Sequence, residues 1–302
     1  MKRDLASVTP REAGPTAFHI LPVSVLVLSC LWFPVSAAAP AQAAQESHSP
    51  QHLRQLVEKA VKNEVNALKH PTHYYRYEQR EESSQGSKTS VEIELRKGTV
   101  ERLIKVNGKS PTEKQCRKSR NKLQRLASSP DARKSLFKNQ QDELNRREKL
   151  LSYLPKAFRY HYETTDKNTG WLKLGFQPDP DFNPDSRAAG VLVGMKGTLW
   201  LDPSNERLMR IEGRLFKNVT FGWGFLAKLN AGGHYRLEQT KLPDGVVHLS
   251  MLDVHFHGTE LIFKTLNVDL KDSNSGFEKV GDNLSVKQAV SMLEKIPVHC
   301  TQ

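Results

Sequence analysis

The sequence predicts an α+β fold: one strongly curved antiparallel sheet of about eleven strands, an unclosed β-barrel, with helices over its concave face. Three observations predict it. Residues 158–270 read as a close series of short strand-like segments separated by turn chemistry such as Asp202-Pro-Ser-Asn205 and Pro243-Asp-Gly245. Three more such segments precede them within residues 75–106. Sustained helical periodicity appears only at the two ends and in one charged block between the strand sets. So many short strands need closure or strong curvature to manage their edges.

Composition bounds the class. The chain has 302 residues, 37% apolar and 26% charged, with 45 Lys and Arg against 33 Asp and Glu and a net charge of +12. These values exclude a polytopic membrane protein and a wholly disordered chain. Three cysteines are too few for a disulfide scaffold.

Residues 1–43 read as an address. Lys2, Arg3 and Arg11 precede the apolar run 19–33, and small residues follow. That is the order of a secretory signal peptide. Ala41-Gln42-Ala43 offers cleavage before Ala44, and Val35-Ser36-Ala37 offers a second site. Pro22 and Pro34 bracket a stretch short of the ~20 residues a membrane span needs. Cys30, in Val27-Leu28-Ser29-Cys30, loosely resembles a lipidation site, but the apolar Leu31-Trp32-Phe33 behind it is the wrong context for a tethered lipoprotein. The expected location is the bacterial periplasm. Two cysteines, Cys116 and Cys300, then remain, as a bridge or as two thiols.

The region 44–302 reads as one domain. A helix is predicted over Leu53–Leu68, from an apolar stripe at Leu53, Val57, Ala60, Val61 and Val65, with Ser49-Pro50 as its start and Pro71 as its stop. Period two then takes over. Tyr75 and Tyr77 alternate with Arg76 and Glu78, and Val91, Ile93 and Leu95 alternate with Glu92, Glu94 and Arg96. With Val100–Val106 these make a three-strand meander. Residues 109–152 are a basic helical insertion, split at Ser128-Ser-Pro130. Strands resume at 158–163 and 171–176, a three-proline loop follows, and 188–195 reads as a short helix. Strands are expected over 197–201, 208–216, 221–229, 233–240, 246–256 and 261–270, and a final amphipathic helix over 286–296.

No catalytic signature appears. There is no G-x-S-x-G or H-E-x-x-H, and the Gly-rich stretch at 190–198 lacks P-loop spacing. His255-Phe256-His257 puts two imidazoles on one side of a strand, with Asp253 beside them, but no further ligand is specified. A solvated strand face is the expectation there, and no metal, cofactor or enzymatic activity is predicted. Export argues against a nucleic-acid partner, as does the lack of aromatics among Lys114, Arg117, Lys118 and Arg120. That basic run suits an anionic membrane surface or an envelope protein.

Gly197-Thr-Leu-Trp-Leu-Asp-Pro203, followed by Arg207-Leu-Met-Arg-Ile211, resembles the hairpin of outer-membrane lipoprotein-sorting proteins, the LolA-like periplasmic carriers. The layout over residues 50–270 is also similar. The resemblance implies an unclosed barrel with a helical lid over an apolar cavity, and carriage of acylated lipoprotein or lipid cargo. On this reading Tyr75, Tyr77, Trp200, Phe221, Trp223 and Phe225 line the cavity, and the helix at 53–68 or the segment 188–195 is the lid. The basic insertion departs from that pattern and favours a second reading, a non-transport sensor or scaffold on the same fold.

Overall fold

A computed structural model describes residues 48–221, 227–260 and 264–302, within one compact unit, Pro40–Gln302. The expected leader, Cys30, Trp223 and Phe225 lie outside the described residues. The chain opens with helix α1 (Pro50–Lys69). Strands β1 (Tyr74–Ser83), β2 (Gly86–Leu95) and β3 (Gly98–Val106) form the expected meander. Helices α2 (Glu113–Ser128) and α3 (Pro130–Ala157) make up the insertion. Ser129 ends one and caps the other, its hydroxyl accepting from the Ala132 amide. Then come β4 (Phe158–Thr165), β5 (Leu172–Pro178), α4 (Arg187–Leu192), β6 (Met195–Asp202), β7 (Arg207–Leu215), β8 (Val219–Phe221), β9 (Ala227–Leu229), β10 (His234–Lys241), β11 (Val247–Glu260), β12 (Lys264–Val280) and α5 (Val286–Glu294).

The twelve strands form one antiparallel sheet in the order β3-β2-β1-β12-β11-β10-β7-β6-β5-β4, with β8 and β9 branching from β11. Its end strands, β3 and β4, do not pair. The geometry of α3 requires that the sheet curl. Gln140 on α3 donates to and accepts from the backbone of Thr99 on β3, while α3 ends at Ala157, directly before β4. Seventeen helical residues span about 26 Å. Nine flat strand spacings would separate β3 from β4 by about 43 Å. The edges can meet Gln140 and the C-terminal end of this helix only if the sheet wraps around it, so α3 lies across the concave face. The Gln140 amide also occupies backbone groups of an open edge, as does Ser119, whose hydroxyl accepts from the Leu103 amide.

Two cores result. On the concave side, α1 buries Leu53, Val57 and Ala60 against Leu174, Leu199, Ile211 and Leu215 of β5–β7, with Tyr153 and Ala157 of α3. Glu64 of α1 is only 5% exposed. Its carboxylate accepts two bonds from the Arg207 guanidinium at 2.7 and 2.9 Å and one from the Leu208 amide at 3.0 Å. The second core is on the opposite face, where α2 and α5 cover Val91, Ile93, Leu95 and Val100 with Leu123, Leu126, Ala289, Val290 and Leu293. Helices therefore cover the concave face, as the sequence suggested, and α2 and α5 cover the opposite face as well. The alternation of β2 makes one side of that strand apolar, and that side points outward. Two helices are needed there to cover it. Cys116 of α2 and Cys300 are disulfide-bonded, and Thr301 exchanges backbone bonds with Pro111 and Glu113, so the C-terminus is tied to the start of α2.

Two departures from the expected strands are the largest. The segment 221–229 is not one strand: β8 and β9 pair with each other. And β12 runs on to Val280, because Asp272-Ser-Asn-Ser275, a turn-like composition, pairs with Glu78–Glu81 of β1. One row across β5, β6, β7 and β10 reads Phe176, Gly197, Gly213, Tyr235. A Cβ at Gly197 would lie 1.9 Å from the Glu212 carbonyl oxygen. The bare backbone lets these strands bend closely between two aromatic rings.

Candidate functional site

Strand pairing fixes which side chains share the concave face, because cross-strand partners point the same way. Tyr77 lies opposite Glu92, and Gln79 lies opposite both Ser90 and Asn274. Glu81 lies opposite Asp272. Here, between the two cores, the face is polar. The Tyr77 hydroxyl donates to Glu92 at 3.0 Å. Glu94 meets the His248 ring at 2.8 Å, and Tyr75 donates to Asp244 at 2.6 Å. Phe277 packs beside Tyr77 and His248 with ring centroids at 5.3 and 4.5 Å.

The electrostatics are those of carboxylates short of counter-charge. Burial, reinforced by the charge of Glu101, pushes Glu92 up to about 7. Burial and then Glu81 push Asp272 up to about 6, while Arg147 of α3 opposes them. Burial holds the Tyr77 hydroxyl well above its usual range. Burial pulls the His248 imidazole down, but its bond to Glu94 prevails and the net shift is upward. Two acceptors here are buried without a partner, Asn274 Oδ1 and Asp272 Oδ1. Asn274 is 8% exposed, and its amide nitrogen is already spent on the Leu249 carbonyl. A buried acceptor without a donor costs about 1–3 kcal/mol. The arrangement suits a ligand that brings hydrogen-bond donors.

Beside this polar end the concave face turns apolar. Leu237 opposes Leu252, and Tyr235 opposes Val254. With Phe256 these side chains are half-buried, whereas their neighbour Ile211, under α1, is buried. Helix α3 crosses above them, and Arg147 lies near enough for its charge to act on Tyr77, Tyr235 and Asp272. The result is an apolar floor under a helical strap, with acceptors at one end.

Of the residues expected to line one cavity, the four that are described, Tyr75, Tyr77, Trp200 and Phe221, are not brought together. Tyr75 and Tyr77 stand at the polar end. Trp200 is on the opposite face, because it pairs with Lys173 and Arg210, whose charged groups sit 5.4 and 4.7 Å from its ring. Phe221 packs at the margin of the α1 core, over Gly190 of α4. Neither predicted lid is loose: α1 is held by the Glu64–Arg207 pair, and Ala189 of α4 is buried. Sequence reasoning missed Glu92, Asp272, Asn274 and His248. Only Glu92 carried a signal, as a charge inside a strand, and that usually marks a solvated face. Lys114, Arg117, Lys118 and Arg120 are all exposed on α2. Among the described residues no carboxylate pairs with any of the four, while the neighbouring Lys122 pairs with Glu101. Among the described residues, too, no helix is long and apolar enough to cross a membrane.

No protein-family model matches this chain, and no curated protein or solved structure matches it.

Proposed function

We propose that this chain is an exported binding protein that carries an amphiphile. Its apolar chain lies along the floor of β10–β12 beneath α3, and its polar head meets Glu92, Asp272 and Asn274. One observation carries the reading: a half-buried apolar floor ends at buried acceptors that lack donors. A lipid or acylated lipoprotein with an amine or hydroxyl-rich head supplies both halves of the match. Carriage needs no reacting group, only a site that releases what it holds. Export is supported by the leader-like residues 1–43 and by a disulfide, a bond that persists in oxidising compartments such as the periplasm.

The test is to purify residues 44–302 from a bacterial envelope and identify extracted lipids by mass spectrometry. A stoichiometric amphiphile is expected, with occupancy reduced in Asn274→Ala and Glu92→Gln. A clean protein that also takes up no fluorescent fatty amine refutes the reading. The bare basic face of α2 favours a second one, in which the chain docks on an anionic membrane or an acidic envelope protein.

A further inference from the structure

The convex face of β10–β12 carries a second cluster, independent of the concave groove. Here the register sets His255 opposite both His234 and Asp269, and His257 opposite Asn267. Asp253, expected beside the histidines, turns instead toward His234, at 3.6 Å. Its place is taken by Asp269 from the next strand, which is hydrogen-bonded to His255 Nδ1. His257 Nδ1 meets Asn267 Oδ1 at 2.8 Å. The two Nε2 atoms then face each other at 2.7 Å.

The protons decide what this means. Asp269 is acceptor-only, so His255 Nδ1 carries the hydrogen, and with Asn267 Oδ1 accepting as placed, His257 Nδ1 does too. Both Nε2 atoms then present lone pairs to one another at 2.7 Å, an approach that a shared cation makes favourable. A divalent metal ion is one such cation. Imidazoles whose far nitrogen is held by a carboxylate or an amide oxygen have the orientation and basicity of metal ligands. Around a tetrahedral ion at about 2.0–2.1 Å, two nitrogens sit about 3.3 Å apart. Reaching that spacing takes a small opening of the His257 ring, which is exposed. His255, His257 and Asp269 have ligand atoms all within 4.8 Å of one another.

We infer that His255 and His257 chelate one divalent transition metal through their Nε2 atoms, with Asp269 and Asn267 as positioning residues and water completing the shell. Imidazole ligands select Cu²⁺ or Zn²⁺ over Mg²⁺ or Ca²⁺. The site is open to solvent, so the metal exchanges and can accept an outside ligand. It does not rest on the carrier reading.

The experiment is calorimetric titration of tag-free residues 44–302 with Zn²⁺ and, separately, Cu²⁺ in a non-chelating buffer at pH 7.5. One equivalent should bind, and binding should weaken as the pH is lowered, because only unprotonated nitrogens hold a metal. His257→Ala, at an exposed position that leaves the fold intact by circular dichroism, should lose that equivalent. Asp269→Asn should weaken it by about tenfold or more. Mg²⁺ should give no heat. Absence of binding overturns the inference, and so does the same equivalent and affinity in the His255→Ala/His257→Ala double variant, which would place the metal on other histidines.

Discussion

Replacing Glu92 by Gln should stabilise the protein at pH 8 and leave it unchanged near pH 4.5. Glu92 is 9% exposed and titrates near 7 in place of the usual 4.5. At about 1.4 kcal/mol per pH unit, that shift corresponds to about 3 kcal/mol. A carboxyl raised in the folded state means that the native protein binds more protons than the unfolded chain between about pH 4.5 and 7. Stability therefore falls as pH rises through that window and stays reduced above it. His248 acts in the same direction. Its pKa is raised, so the stability from its Glu94 pair is present below the unfolded value and lost as pH climbs through the folded one. The glutamine keeps the shape of the side chain and still accepts from the Tyr77 hydroxyl, but it has no charge to bury. Urea unfolding followed by near-ultraviolet circular dichroism at pH 4.5, 6.5 and 8 measures the difference. The expected gain is near zero at pH 4.5 and approaches about 3 kcal/mol at pH 8. An equal effect at all three values, or a loss at pH 8, would refute the claim that this carboxyl is buried without a counter-charge.

Three further outcomes follow from named contacts. Glu64→Ala strands the Arg207 guanidinium and the Leu208 amide in the α1 core and should cost about 3–5 kcal/mol in denaturant unfolding, whereas Glu64→Met with Arg207→Met should recover most of it; a cost under 1 kcal/mol for the single variant counts against the pair as the anchor of α1. Reducing the Cys116–Cys300 bridge, which spans 184 residues of sequence, should lower stability by up to about 5 kcal/mol on chain-entropy grounds, and Cys300→Ser should show the same loss of Tm without reductant. Reversing charge at Lys114, Arg117, Lys118 and Arg120 should abolish co-sedimentation with anionic vesicles at low salt while cargo occupancy is unchanged; retained sedimentation removes the second reading.

The sequence by itself determined the local elements. The three- and four-residue spacing from Leu53 to Val65 makes α1, Ser129-Pro130 divides α2 from α3, and the alternation Val91–Leu95 makes β2, because backbone preference and side-chain direction repeat within a few residues. Strand pairing and the curvature it demands were legible as far as the number of short strands in one chain could show them. What lies opposite each strand was not. Trp200 reads as a greasy wall, yet its register with Lys173 and Arg210 turns it to the convex face. Glu92 reads as a solvated strand charge, yet the wrap of the sheet around α3 buries it beside Tyr77. The last strand reads as ending at Leu270, yet β1, about two hundred residues earlier, pairs with Asp272–Ser275 and extends it. The His255–Asp269 and His257–Asn267 pairs exist only because β11 and β12 align in one register. Local chemistry sets the conformation of a segment and the alternation of its faces. Which face is covered, and which polar groups are forced together there, depends on partners distant in the chain, and so the tertiary structure alone decided both candidate sites.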